Sequence, residues 1–325
     1  MKLIRHSSQL KLAAVSAVAI GNFDGLHRGH QKLISKLIAD SKSLNLKSVL
    51  CTFSPLPWQV LSKKESTENL SNLRSKVSLL QQYELDIMLL VHFNQQFRKL
   101  SPAEFIKDFL VNQLNAAHVI TGEDFRFAFG RKGGQQQLIQ AQQAGLFSYA
   151  SLAAYPDDES KISSSNIRQL LMNGDLKAAN DLLGYKYFIT GKVIQGRGLG
   201  KKLGFPTANL NLQKFIPPVK GVYLCQAYIG GHTNSLGVAA LVNLGYRPTI
   251  ERSNQKKFVA EAHILNFNEN IYGKLIKLEF LEYLRPEKKF TSVDELTLQI
   301  KQDRDDGLRI MNERYSMITT TRSKS

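Results

Sequence analysis

Apolar positions fall along the chain in two textures. Val15 to Ile20 is a run of small or β-branched residues, apolar toward both faces, which predicts a central strand of a parallel sheet. Leu33, Ile34, Leu37 and Ile38 recur at helical spacing, and "KSVLCTF" (47–53) reads as a second strand. Residues 15–53 thus predict a strand, helix, strand unit with a right-handed crossover. The alternation continues through "LDIMLLVHF" (85–93), the helical "SPAEFIKDFLVNQL" (101–114) and "AAHVITG" (116–122), and it points to a doubly wound α/β domain, Rossmann-like in plan. "KISSSNIRQLLMNGDLKAANDLLG" (161–184) predicts one helix, capped by its serines and stopped by Gly184. The first domain is placed at 1–184.

From Tyr185 the pattern shortens. "YFITGKVI", "GVYLCQAYIGG", "VAALVNLG", "FVAEAHIL" and "KLIKLEFLEYL" are strand-like runs separated by Gly, Pro and Asn turns, which predicts a small antiparallel β-barrel over 185–325. Val293, Leu296, Ile300 and Leu308 are roughly helix-spaced and close that domain with a helix, followed by the polar tail "TTTRSKS".

Charge narrows the class of partner. The 325 residues carry 43 Lys+Arg against 27 Asp+Glu, a formal +16, which favours phosphorylated ligands, nucleic acid or an anionic membrane surface. A nucleic-acid binder should interleave its basic residues with exposed aromatics on one face; here the charge is scattered, with pairs such as Lys256-Lys257 and Lys288-Lys289, so nucleic acid is not expected. No apolar run reaches the ~18 residues of a membrane span, and no membrane partner is expected. Cys51 and Cys225 each lie in a strand-like run, which suggests buried reduced thiols and a cytoplasmic protein. Lys2, Arg5 and Lys11 before the apolar run at Leu12 to Ile20 resemble the start of a leader, but that run feeds directly into the motif below and is read as a retained strand.

That motif is "GNFDGLHRGH" (21–30), set between the first strand and the first helix. Gly21, Gly25 and Gly29 let backbone N-H groups approach a ligand, the helix start favours an anion, and His27 and His30 can aim at one group on which negative charge grows. A zinc site and two plain surface histidines are the alternatives. Zinc would want further imidazole or thiolate ligands, and both cysteines lie in distant strands. The position at a strand's carboxyl end, where open α/β sheets bind ligands, favours the phosphate reading.

"GNFDGLHRGH" together with "ISSSNIR" (162–168) resembles the nucleotidyltransferase signature in the amino-terminal module of bacterial bifunctional riboflavin kinase/FMN adenylyltransferases, also called FAD synthetases. "TGEDFRFAFGRKG" (121–133) agrees, and "GKKLGFPTANL" (200–210) is similar to the riboflavin kinase signature. "GVY" (221–223), "NLGYRPT" (243–249), "AEAHILNF" (260–267), "IYG" (271–273) and "LRPEKKF" (284–290) follow in the family's order. The resemblance implies small-molecule substrates (ATP, riboflavin and FMN) with Mg²⁺ as cofactor. It implies that Gly21, Phe23, Asp24, Gly25, His27, His30, Asp124 and Ser163, Ser164 and Ser165 surround the nucleotide, with Arg168 on the leaving pyrophosphate. Arg168 and the serines could equally be a surface arginine and an ordinary cap.

In the second module the resemblance implies that Gly204, Pro206, Thr207 and Asn209 meet ATP, the last two lying two residues apart on one side of an extended segment and able to share a Mg²⁺ ion. Gly196, Gly198 and Gly200, with Arg197, Lys201 and Lys202, would form a basic loop over the phosphates; no Walker loop occurs. Glu261, in the apolar "FVAEAHIL", either faces solvent by alternation or acts as base on riboflavin, and Arg285 and Glu287 shape the flavin site or form a solvated ion pair. Two positions depart from the family pattern: Leu56 stands where relatives often carry histidine, and Asn266 where they commonly carry aspartate. A flavin sensor on the same scaffold is the rival reading, and turnover separates the two.

Overall fold

The computed structural model describes the chain apart from residues 7–8, 62–68, 154–161, 197–199, 201–202, 213–214, 217, 231–236, 248–256 and 316–325. Its contacts divide it into two units, Met1–Asn166 and Ile167–Ser325.

The first unit is a six-stranded, wholly parallel sheet in the order β1-β4-β3-β2-β5-β6. Its strands are β1 (Lys2–Arg5), β2 (Ser16–Ile20), β3 (Lys47–Phe53), β4 (Ile87–Val91), β5 (Ala116–Gly122) and β6 (Ser148–Leu152). Between them run α1 (Arg28–Ser43), α2 (Pro57–Leu61), α3 (Leu73–Leu80), α4 (Gln95–Arg98), α5 (Pro102–Glu104) and α6 (Gln135–Gln143). Alternation along the strands fills two cores. Val18, Ile20, Val49, Cys51 and Val119 pack with Phe105, Phe109 and Leu138. Ala17, Ala19, Leu50 and Met88 pack with Leu33, Ile34 and Leu37 of α1. Covering both faces is what a parallel sheet requires, and it makes β2 buried at every residue.

The helix predicted over 101–114 begins with a full capping box, Ser101 with Glu104, and Pro102 in its first turn, then widens into a nine-residue π-helical stretch at Phe105–Gln113. The single helix predicted over 161–184 is instead two: α7 (Ser164–Asn173) and α8 (Leu176–Leu183). Gly174 takes φ 82°, and Asp175 recaps the chain by accepting a hydrogen bond from the Ala178 N-H, so a local cap outweighs the continuous apolar stripe. Gly184 ends α8 in the left-handed conformation, as its position suggests.

In the second unit a closed antiparallel barrel runs in the order β10-β11-β8-β7-β12-β9. The strands are β7 (Phe188–Ile194), β8 (Ala208–Asn211), β9 (Gly221–Ile229), β10 (Val238–Arg247), β11 (Lys257–Ile264) and β12 (Leu275–Arg285), and the closing helix is α9 (Val293–Arg314). Five strands match the sequence pattern. The sixth, β8, carries "ANLN" from the motif segment, which the sequence reads as extended chain or as a barrel hairpin with a basic turn. Both cysteines are buried and free.

Candidate functional site

The first site forms at the carboxyl ends of β2, β3 and β5, where the loop Gly21–His27 enters α1. Phe23, Gly25 and Leu26 all have positive φ, at 46°, 78° and 41°. Such angles are costly for Phe and Leu and persist only where the surroundings fix them. Here several backbone groups are tied. The Asn22 carbonyl accepts from Thr52 Oγ1 at 3.0 Å and from Lys76 Nζ at 2.9 Å. The Asp24 carbonyl accepts from Ser164 Oγ at 2.8 Å, the Gly25 N-H donates to Ser71 Oγ at 3.0 Å, and the Leu26 carbonyl accepts from Gln31 Nε2 at 2.8 Å.

His27 is the N-cap of α1, and no acidic side chain lies in that helix's first turn. Its ring stacks on His30 with centroids 3.6 Å apart, and His30 rests against Phe23 at 5.2 Å. A side chain on Gly29 would come within 3.3 Å of His27 Nδ1, so glycine leaves that ring its place. Both Nδ1 atoms are buried without a hydrogen-bond partner among the described residues. Burial holds both rings neutral: desolvation lowers His27 to about 4, and it takes His30 well below the ordinary histidine range, helped by the neighbouring His27 and Lys76.

The folded state binds fewer protons than the unfolded chain between pH 6.5 and 4, so stability from His27 is complete above pH 6.5 and falls as pH drops toward 4, by up to about 3 kcal/mol, with His30 acting in the same direction. Urea titrations between pH 4.5 and 7.5 should show a smaller acid loss in His27→Asn than in the parent. An equal loss in both would remove His27 from the balance.

The other residues named from the sequence here divide by role. Asp24 turns inward: it is 1% exposed, and its carboxylate accepts from the Leu70 and Ser71 N-H groups at 3.1 Å each. An acceptor-only group satisfied by backbone donors is a loop anchor. Phe23 is likewise fully buried, a floor beneath His30. Ser163 caps α7 by accepting from the Asn166 N-H, Ser164 latches the Asp24 carbonyl, and Ser165 is exposed. Asp124 is exposed in the turn just beyond β5, at the same end of the sheet. Arg168 lies on α7 one turn beyond Ser164, with Nε buried. Leu56 is packed into the core.

The second site lies on the barrel. Glu261 in β11 is in register with Asn209 of β8 on one side and with Asn243 of β10 on the other. Directly opposed residues share a face, so three polar side chains stand in a row while Ala260 and Ala262 turn inward and are buried. All three line a cavity of about 410 Å³, together with Thr207, Arg285 and Glu287. Phe290, Leu296 and Ile300 give it an apolar wall from α9 and the segment before it. Alternation does turn Glu261 outward, but toward this cavity. Arg285 makes a two-pronged ion pair with buried Asp303 of α9, 2.7 Å at each contact, so it pins the helix to the barrel rather than forming a solvated pair. Asp303 carries no recognisable signal in the sequence, and Asn243 only as the first residue of "NLGYRPT", because register and helix docking are long-range facts.

A second cavity, about 390 Å³, shares Thr207 and is lined also by Pro206, Phe267, Asn270 and Tyr272. Gly204 takes φ 85°, and the Pro206 carbonyl lies 2.9 Å from His263 Nδ1. Asn209 Oδ1 is buried without a partner among the described residues, and a side chain on Gly196 would overlap the Asn209 amide. Arg197, Gly198, Lys201 and Lys202 of the expected basic loop lie outside the described residues. Asn266 takes φ 53°, a left-handed conformation that asparagine tolerates better than most residues.

Comparison with known proteins gives a consistent picture. A family profile described as FAD synthetase matches residues 10–166, and one described as riboflavin kinase matches residues 183–311. A bifunctional riboflavin kinase/FMN adenylyltransferase of Buchnera aphidicola subsp. Schizaphis graminum is 37% identical over 98% of this chain and 100% of its own. The Bacillus subtilis protein of the same description is 37% identical over 91% of this chain and 92% of its own. A crystal structure described as a macrolide-efflux protein from Streptococcus pneumoniae superposes with a TM-score of 0.81 at 27% identity, covering 94% of this chain and 98% of that one; among the described residues no helix is long and apolar enough to cross a membrane. With both profiles matched in order and relatives aligned over nearly the whole length, the chain belongs to the family of bifunctional riboflavin kinase/FMN adenylyltransferases.

Proposed function

We propose that the two sites divide the family's two reactions, phosphorylation of riboflavin to FMN within residues 185–325 and adenylylation of FMN to FAD within residues 1–184. The observation that carries this reading is the barrel row Asn209, Glu261, Asn243 on the wall of a cavity with an apolar side. A flat, largely apolar ring with a polar tail fits such a wall, and it brings a hydroxyl to the carboxylate. Glu261 accepts that proton as the hydroxyl oxygen bonds to the γ-phosphorus of ATP, the bond to the β,γ-bridging oxygen breaks and ADP departs. Arg285 holds the helix side of the cavity through Asp303, and Glu287 lies at its rim.

Thr207 lines both cavities, which suits a flavin in one and a nucleotide in the other with the transferred group between them. The unsatisfied buried Oδ1 of Asn209 and the Thr207 hydroxyl are neutral oxygens of the kind a Mg²⁺ ion bound to ATP takes, so the residues present fit that cofactor. Bound there, Mg²⁺ would neutralise phosphate charge. Gly196→Ala is expected to displace Asn209 and lower riboflavin phosphorylation at least tenfold, with FMN adenylylation at the parental rate; riboflavin phosphorylation at the parental rate in the variant would argue against Asn209 in the kinase site.

In the first site an FMN phosphate oxygen forms a bond to the α-phosphorus of ATP while the bond to the bridging oxygen breaks and pyrophosphate departs. Positioning and charge stabilisation do most of this work. His27 and His30 donate toward the phosphates, Gly21 and Gly25 keep the loop backbone close, the α1 start adds its partial positive charge, and Ser163, Ser164, Ser165 and Asp124 complete the nucleotide's surroundings. Incubating the protein with riboflavin, ATP and Mg²⁺ and resolving riboflavin, FMN and FAD by chromatography tests the whole reading. Appearance of FMN and then FAD supports it; binding of flavin without turnover would leave the sensor reading in its place.

A further inference from the structure

The loop that presents the histidines is anchored by a charged group that no motif singled out. Lys76 of α3 is 5% exposed, and its ammonium donates to the Asn22 carbonyl at 2.9 Å and to Thr52 Oγ1 at 3.2 Å, while Thr52 donates to the same carbonyl. A lysine is rarely buried so deeply, because removing an ammonium from water is expensive unless it is hydrogen-bonded or paired. Two neutral oxygens do not replace that hydration. The charge that faces it from the loop is Asp24, whose carboxylate is already held by Leu70 and Ser71; from α1 it is faced by His30, and from β3 by the neutral Thr52. The remaining side touches a cleft of about 50 Å³ whose other lining residues, such as Ser54, Gln59 and Asn69, are uncharged.

We propose that Lys76 is a positioning residue for adenylyl transfer: from beneath the turn it locks Asn22–Leu26 in its strained conformation, and through that turn it sets His30 and His27 against the phosphates. This rests on the assignment of adenylyl transfer to the strand-end site. A purely structural lysine could be replaced wherever the unit still folds. A positioning one carries its protonation state into the reaction. Burial lowers Lys76 to about 8, with Asp24 opposing the shift, so its charge is lost within the range in which the enzyme can be assayed.

The test uses the full chain and measures its two reactions separately between pH 7 and 10. The parent's kcat/KM for ATP in FAD formation from FMN should fall along an alkaline limb centred near pH 8, while FMN formation from riboflavin shows no such limb. Lys76→Arg, charged throughout, should keep a measurable rate and lose the limb. Lys76→Met should lose the limb and also fall on the order of 10²-fold at pH 7, the scale of loss from a small misplacement of reacting groups, with FMN formation intact. A parent profile flat from pH 7 to 10 overturns the proposal without any variant, which matters if Lys76→Met fails to fold. A limb that persists in Lys76→Arg also overturns it. A parent that forms FMN but no FAD at any pH would instead count against the assignment of the site itself.

Discussion

Glu261→Gln is expected to lower riboflavin phosphorylation by ~10² to 10⁴ while leaving FMN adenylylation at the parental rate. The expectation begins with the strand. β11 places Ala260 and Ala262 in the barrel core and Glu261 between them on the outer face, in register with Asn209 and Asn243. The carboxylate is thus held by two flanking strands, not by a mobile loop, and both neighbours are neutral amides that cannot take a proton. An alcohol must lose its proton as the phosphoryl group arrives, and a carboxylate at hydrogen-bond reach both orients it and accepts the proton. Glutamine keeps the shape and loses the basicity, so the barrel should fold and bind both substrates with little change. Steady-state rates with riboflavin, set beside rates with FMN in the same preparation, measure the effect. A variant within a few-fold of the parent would remove Glu261 from the chemistry and leave positioning by Thr207 and Asn209 to carry the reaction.

How far the sequence reached is clearest at the boundary between local and long-range information. Strands such as β2, β3 and β5 are legible because burial on both faces of a parallel sheet leaves long apolar runs. β1 and β6 are edge strands, more exposed than the central ones, and lack that mark. β8 is only four residues long and follows Pro206 closely; it is a strand because β7 and β11 pair with it. The histidine loop was legible as a candidate ligand site, since glycines at fixed offsets between a strand and a helix have few other uses. What its remaining residues do was not. Asp24 belongs to the same motif yet turns inward, because the Leu70 and Ser71 amides that bind it lie more than forty residues away. Lys76 looks like an ordinary helix lysine until α3 is docked over the loop.

For His30→Ala the expected outcome is FMN that accumulates and is not converted, with FAD formation down by on the order of 10² or more and riboflavin phosphorylation unchanged. Two neutral imidazoles stacked at 3.6 Å, on a fixed loop at the start of α1, form a donor set that needs no rearrangement as charge grows on the phosphates. In a buried site such donors act in a low dielectric, where each is worth more than in water. Their neutrality matters as well: anionic phosphates favour the charged form of histidine, so nucleotide binding should be accompanied by proton uptake near pH 6, detectable as a buffer-dependent binding enthalpy. Removing His30 takes away one donor and also the ring between His27 and Phe23, so the loss combines chemistry with looser placement of His27. His30→Gln separates these contributions, because its amide can still donate from about the same reach. It should recover part of the rate that alanine loses. The kinase reaction of the same chain reports that each variant is soluble and folded in its second unit, and urea unfolding followed at Trp58 reports on the first. If His30→Ala converts FMN to FAD at the parental rate in such a folded preparation, the stacked pair is a structural feature of the loop and the phosphate donors must be sought elsewhere at the strand ends.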